Sequence, residues 1–191
     1  DPTCGSGTFC IEAAMMARQI APGLRRTFSF EDWNWVDDRL IQEVRTEATK
    51  KINRDLVLDI MGTDIDARMV EIAKENAQKA GVASDITFKQ MRVQDLRSDK
   101  INGVIVSNPP YGERLSDDAG VTKLYAEMGE VLAPLKTWSK FILTSDENFE
   151  KKFGRQADKK RKLYNGTLKV DLYQFFGERV RRQATSEKGN I

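Results

Sequence analysis

Apolar residues recur at helical spacing between Thr8 and Ile20, where Phe9, Met16 and Ile20 supply apolar faces and Ala13, Ala14 and Ala17 add helix propensity. Residues 1–8 form a Gly-rich turn ahead of that helix, and Pro22-Gly23 ends it. A charged stretch around Asp37–Asn53 predicts a second helix. Residues 56–63 (LVLDIMGT) form a short apolar run that predicts a buried strand. Asp66 is suited to cap a helix running to Ala80, and Gly81 stands where a left-handed C-cap belongs. Strands are expected at 86–90 (ITFKQ), at 103–107 (GVIVS) and at 140–144 (KFILT), with a loop holding Asp95 after the first and a helix at about 121–134 before the last. The 103–107 strand runs directly into Asn108-Pro109-Pro110-Tyr111. Residues 161–164 and 167–175 are strand-like and separated by Asn165-Gly166, a strong hairpin signal. Residues 181–191 read as a frayed, flexible polar tail.

Strands alternating with helices predict an α/β fold with a mostly parallel sheet, and the closing hairpin adds an antiparallel element. A Gly-rich loop of this kind normally follows the first, central strand of such a sheet. Nothing precedes Asp1, so the chain reads as a fragment lacking that strand. Bare inner edges are costly, and the isolated chain is expected to be poorly stable.

Composition narrows the chemistry. The 191 residues, 40% hydrophobic and 31% charged, suit one globular domain with a real core. There is no histidine. That removes Ser-His-Asp and Cys-His catalysis, His-ligated metals and a histidine general base, leaving carboxylates, amides, backbone carbonyls, Tyr and Lys. Cys4 and Cys10 have no second pair, so neither a disulfide framework nor a zinc site is expected, and no metal is implied. The sequence shows no signal peptide and no membrane-spanning run, and a cytoplasmic location is the simplest expectation. From residue 150 onward, 12 Lys/Arg face 5 acids; this net +7 against the chain's +2 leaves about −5 on the first 149 residues. Such a basic end suits a polyanion, or a merely solvated surface.

Four sites carry candidate chemistry. In Asp1-Pro2-Thr3-Cys4-Gly5-Ser6-Gly7-Thr8, the glycines permit a tight turn and close approach to a ligand, while the helix that follows points its first N–H groups at it. The string lacks the Lys of a P-loop, which argues against triphosphate binding. Asp64 ends the 56–63 strand, where an acid accepts from ribose hydroxyls in a doubly wound sheet; the alternative is a helix cap, a job that Asp66 fits better. Asp95 is placed to meet an adenine amino group, helped by the Gln94 backbone. Asn108-Pro109-Pro110-Tyr111 stands at the C-terminal end of an apolar strand, where open α/β sheets bind ligands. An exocyclic base amine is a poor nucleophile because its lone pair is delocalised. Two fixed acceptors, the Asn108 side-chain oxygen and the Pro109 carbonyl, would hold both N–H bonds and favour a pyramidal nitrogen. The prolines fix the backbone, and Tyr111 offers a face to a base taken out of its stack. The bland alternative is a Pro-Pro turn under a Tyr lid.

On these residues the chain resembles the Rossmann-like class I amino-methyltransferases, and more narrowly the RNA guanine-N2 methyltransferases that carry an N-terminal THUMP domain, a group often labelled adenine-specific DNA methylases. The resemblance rests on DPTCGSGTFCIEAA at 1–14, APGLRRTFSFEDW at 21–33, GTDIDARM at 62–69 and NPPYGER at 108–114, and spans nearly the whole chain. It implies a methyltransferase domain over 1–180 with an insertion at 24–53. It implies S-adenosyl-L-methionine as cofactor, held by Asp1, Cys4, Gly5, Gly7, Asp64 and Asp95. It implies a target base held by Asn108, Pro109 and Tyr111, with Glu113 and Arg114 extending the motif in roles not assigned. The implied substrate is RNA, ribosomal RNA of the large subunit first and transfer RNA second, and an upstream THUMP-type RNA-binding region is expected. NPPY alone does not separate guanine from adenine, nor RNA from DNA, and a catalytically silent cofactor- or RNA-binding module is the reading from another class. Phe28, Phe30, Trp33 and Trp35 are expected to pack a small local core rather than to stack on bases. Lys159 to Lys162 are open to phosphate contact or to simple solvation.

Overall fold

The structure is a computed structural model, and it describes residues 1–111 and 118–179. It divides into two compact units, Asp1–Arg92 and Val93–Ile191.

The first unit contains α1 (Thr8–Ala17), α2 (Asp38–Lys50), β1 (Ile60–Asp64), α3 (Ala67–Ala80) and β2 (Ile86–Gln90). β1 and β2 pair in parallel from Ile60↔Ile86 to Asp64↔Gln90. The strand expected over 56–63 is therefore shorter and later. Pairing starts only at Ile60, and Val57 is 97% exposed, because an apolar run becomes strand only where a partner strand lies alongside it. Asp66 caps α3 by accepting from the Arg68 backbone N–H, and Gly81 closes the helix at φ +77, both as expected. The core joins Cys10, Ile11 and Ala14 of α1 to Val70, Ala73 and Ala77 of α3 and to Ile86 and Phe88 of β2. Three buried alanines at the helix contact bring both helices close to the two strands. The Arg18 guanidinium binds both carboxylate oxygens of Asp85 and the carbonyls of Asn53, Arg54 and Leu56, tying the end of α1 to the segment that leads into β1.

The 24–53 segment is held by Arg45, which donates to the Leu24 and Arg26 carbonyls and pairs with Glu31. Its rings do touch in sequence order: Phe28 to Phe30 at 5.8 Å, Phe30 to Trp33 at 6.5 Å and Trp33 to Trp35 at 5.2 Å between centroids. They pack on one another as expected, but the small local core is left uncovered, since Phe30, Trp33 and Trp35 stay exposed, Trp35 by 75%.

The second unit contains β3 (Val104–Ser107), α4 (Asp118–Leu132), β4 (Ser139–Thr144), α5 (Phe149–Phe153), β5 (Lys159–Asn165) and β6 (Leu168–Phe175). Its four strands run in the order β3-β4-β6-β5. β3 and β4 are parallel, and β6 is antiparallel to both β4 and β5. The closing hairpin is present, but its two-residue turn is Gly166-Thr167, because Asn165 still pairs with Leu168. Gly166, at φ +61, takes the first turn position. α5 gave no sequence signal, being only 5 residues long. Its Phe149 anchors the core, with ring centroids 4.9 Å from Tyr125, 5.0 Å from Phe153 and 4.7 Å from Tyr173. Gly129 of α4 permits this packing: a Cβ there would lie 2.0 Å from the Phe153 carbonyl oxygen. Residues 181–191, expected to be a tail, and Glu113 and Arg114 lie outside the described residues.

Candidate active site

In the first unit the Gly-rich turn is pinned along the free side of β1. The Asp1 backbone nitrogen donates to the Met61 carbonyl, the Thr63 N–H to the Asp1 carbonyl and the Cys4 N–H to the Thr63 carbonyl, each at 2.8 Å. The Asp1 carboxylate accepts from the Thr3 N–H at 3.0 Å, turning the chain outward. Asp64, at the end of β1, holds the turn from the other end. Its carboxylate accepts from the Gly5 N–H at 2.9 Å and from the Asp66 N–H at 2.9 Å. Asn76 of α3 donates to the Ser6 carbonyl at 3.1 Å; that contact spans 70 residues and left no mark in the local sequence.

The two glycines of the turn do different work. Gly5, at φ +51, has nothing within 4 Å of where a Cβ would stand, so the space beside it is open. Gly7, at φ +84, faces inward, and a Cβ there would lie 2.9 Å from Phe88 Cζ and 3.0 Å from Ala73 Cβ. Gly7 also caps α1 without any side-chain hydrogen bond, so the positive end of that helix opens at the turn. An open turn at Gly5, a helix N-terminus and the Asp64 carboxylate suit a ligand with a ribose and an anionic group. Burial first, with Cys10 and Asp64 adding, pushes the Cys4 thiol up to about 12, and burial raises Cys10 as well. Both stay as thiols, so Cys4 contributes shape rather than a nucleophile.

In the second unit, Asn108-Pro109-Pro110-Tyr111 follows β3 directly. Asn108 Oδ1 is buried with no hydrogen-bond partner among the described residues. Pro109 is fully buried, and Tyr111 is only 8% exposed; its ring is covered and not laid open to solvent. The motif is strapped from behind by groups that sequence reasoning missed. The Asp146 N–H donates to Thr144 Oγ1 at 3.1 Å, Thr144 Oγ1 meets Tyr125 Oη at 2.8 Å, and Tyr125 O–H donates to the Pro110 carbonyl at 3.3 Å. Tyr125 and Thr144 are fully buried. Asp95 lies in a 3-10 turn, Val93–Asp95, with its side chain exposed. The neighbouring Gln94 carbonyl is taken by Arg97 at 2.8 Å.

The structure thus gathers Asp1, Cys4, Gly5, Gly7 and Asp64 at one turn of the first unit. It places Asp95 and Asn108, Pro109 and Tyr111 in the second unit.

Parallel α/β elements, a Gly-rich turn bonded to an acidic strand end, and NPPY after a strand define a class I methyltransferase fold. The chain belongs to the RMKL-like methyltransferase domain family, which matches residues 1–174. It is 52% identical over 186 residues to YpsC of Bacillus subtilis (strain 168), named as a candidate RNA methyltransferase, covering 97% of this chain and 48% of YpsC. It is 41% identical over 175 residues to the ribosomal RNA large subunit methyltransferase K/L of Legionella pneumophila (strain Philadelphia 1), covering 91% of this chain and 25% of that protein. Among solved structures, SMU.472 complexed with SAH superimposes with a TM-score of 0.91 at 64% identity, over 95% of this chain and 48% of that one. The chain therefore spans about half or less of the length of these relatives.

Proposed function

We propose that this chain is the catalytic domain of an S-adenosylmethionine-dependent RNA methyltransferase that modifies the exocyclic N2 amine of a guanine, with large-subunit ribosomal RNA as substrate. The observation that carries the reading is the buried, unpartnered Asn108 Oδ1 at the end of β3. A base amine brings the N–H donor this oxygen lacks. The names of the K/L relative and of YpsC support an RNA substrate, and the complex of SMU.472 supports the cofactor.

When bound, S-adenosylmethionine supplies a methyl on a sulfonium, which leaves as the C–S bond breaks and the C–N bond forms. Asp64 serves the ribose hydroxyls with the lone pairs not used by Gly5 and Asp66. Asp1, Cys4, Gly5 and Gly7 would hold the donor at the turn, and Asp95 would serve its adenine amine. Asn108 Oδ1 and the Pro109 carbonyl accept the two N–H bonds of the target amine and draw its lone pair out of conjugation. Tyr111, covered in this structure, would have to turn outward to pack against the base. No general base is required, because the amine turns strongly acidic as it attacks and its proton passes to solvent. A protein without histidine suits this chemistry.

Labelled S-adenosylmethionine, offered with unmodified ribosomal RNA, transfer RNA and DNA side by side, tests the reading. The protein is supplied as this chain and with an upstream THUMP-type region of a relative joined to it. N2-methylguanine in RNA, lost in Asn108→Ala while cofactor binding persists, is the expected result. N6-methyladenine in DNA would replace the reading with the adenine enzyme. Cofactor binding without label from either form would leave a silent binding module.

A further inference from the structure

β5 is the edge strand of the second unit's sheet, and its first four residues are Lys159, Lys160, Arg161 and Lys162, all exposed. Alternation puts Lys159 and Arg161 on one face and Lys160 and Lys162 on the other. On the second face charge is partly answered. Lys160 lies 4.0 Å from Glu150 and 5.1 Å from the Tyr173 ring centroid, and Lys162 pairs in register with Asp171. Glu147 is held below the usual carboxylate range by Lys169 first, with Lys160 and Lys162 adding. On the first face the register partners are Gln174 for Lys159 and Leu172 for Arg161. Neither cation meets an acid there. Lys159, Arg161 and Lys162 form no ion pair among the described residues. Same-face side chains two residues apart on a strand stand about 6.8 Å apart, a spacing comparable to that of consecutive phosphates on a polynucleotide. At the hairpin end Tyr164 is 68% exposed.

We propose that the β5 edge is the surface along which the phosphate backbone of the RNA substrate lies, with Lys159, Arg161 and Lys162 as phosphate contacts and Tyr164 as a stacking face for an unpaired base. The inference rests on the reading of RNA as substrate and extends it to a surface outside the NPPY motif. A polyanion is the occupant that the charge selects: two cations that meet no acid, Lys159 and Arg161, with the partly answered Lys162 beside them on an open edge, attract phosphate and repel a second basic edge. The competing role for lysines on an edge strand is to keep other strands from pairing with it. That role calls for charge on the edge but not for RNA affinity, and the experiment separates the two.

A fluorescein-labelled oligouridylate, followed by anisotropy across a salt titration, reads the contacts. The triple variant Lys159→Gln/Arg161→Gln/Lys162→Gln is compared with the wild type and with a control of equal charge change in the first unit, Lys50→Gln/Lys51→Gln/Lys89→Gln. The expected result is a fall of at least about tenfold in affinity and a log–log salt slope smaller by about 2, from roughly 0.7 per phosphate contact on a single strand. The control should keep both values, and Tyr164→Ala should weaken binding without changing the slope. An unchanged slope overturns the proposal, as does an equal loss in the control. A triple variant that self-associates while keeping its RNA affinity assigns the lysines to edge protection instead. A larger loss for oligothymidylate than for oligouridylate would move the surface to DNA. Thermal melting checks the fold, and if the triple variant unfolds, Lys159→Gln and Arg161→Gln alone should each lower the slope by about 0.7. Failure of methyl transfer to RNA with the slope change intact would count against the proposed reaction, whereas transfer with no slope change would count against this surface.

Discussion

Asp64→Asn tests whether one carboxylate serves both the Gly-rich turn and the ligand. In the native chain each oxygen accepts one backbone N–H, Gly5 and Asp66, at 2.9 Å. Asparagine has the same shape but one acceptor, so its NH2 must face one of those two N–H groups. One charge-assisted contact worth about 1.5–3 kcal/mol becomes a neutral one worth about 1, and the other turns from attraction to donor-against-donor. The net loss is about 2 kcal/mol or more. If the turn gives way rather than the fold, that loss appears as weaker ligand binding, and 1.4 kcal/mol per decade makes it about 30-fold. Lost bonding to ribose hydroxyls adds to this. Calorimetric titration of S-adenosylhomocysteine into wild type and variant measures it, with urea midpoints for both. Affinity within about threefold of wild type, at equal stability, would refute the reasoning on both counts. A matching loss of stability with unchanged affinity would confine Asp64 to bracing the turn.

Tyr125→Phe removes the hydroxyl that joins Thr144 to the Pro110 carbonyl. It should lower stability by about 2 kcal/mol, or ~4–8 °C in Tm for a chain of this size, and reduce kcat while leaving the KM for S-adenosylmethionine unchanged; wild-type kcat would show that the strap does not position NPPY. Gly7→Ala forces a Cβ into the left-handed region, costing about 1–2 kcal/mol, and against Phe88 and Ala73; a variant as stable as wild type in urea would contradict the packing described. Asp85 is held below its ordinary value of 3.8 by the Arg18 hydrogen bonds first, against burial that raises it. A depressed carboxyl stabilises fully above that value and loses its contribution as pH falls through the lower folded value. Arg18→Met should therefore cost most near pH 7, and the gap between the urea midpoints of variant and wild type should narrow below about pH 4; a gap independent of pH would place the effect in packing alone.

The elements legible in the sequence are those whose signals are local. Asp66 and Gly81 bracket α3 because a cap and a left-handed glycine act within one turn of the helix. The strand over 86–90 matches because its neighbours punctuate it. β1 was legible in kind but not in length, since its start is set by where β2 lies alongside it. The hairpin slipped by one residue because Asn-Gly signals a turn without fixing which pair closes it; here Asn165 stays in the ladder. The candidate site shows the same division. Asp64, the glycines and Asn108 could be named from motif order. Thr144, Tyr125 and Asn76 could not, because each acts across 15 to 70 residues of chain. The aromatics of residues 28–35 met expectation only in part for a related reason: their spacing predicts that rings will meet but not that a second layer will cover them.

Two buried side-chain oxygens lack hydrogen-bond partners among the described residues, Thr63 Oγ1 and Asn108 Oδ1. They are not equivalent. A threonine within a strand has a reason to be there without its hydroxyl, since the branched side chain packs well on a pleated surface. An asparagine has no such reason. It is poor in strands, carries two donors and an acceptor, and leaving a buried polar group unpaired costs about 1–3 kcal/mol. Leucine would fill a similar volume at that position without the penalty. The penalty disappears only when something brings a donor to Oδ1, so occupied and empty states differ by about the strength of that hydrogen bond. The fully buried Pro109 keeps the oxygen from escaping by backbone motion, and the Tyr125 strap holds the next carbonyl in place. On the proposed reading, that penalty leaves an acceptor fixed in place for a weakly nucleophilic amine that would be held by hydrogen bonds without a base to deprotonate it.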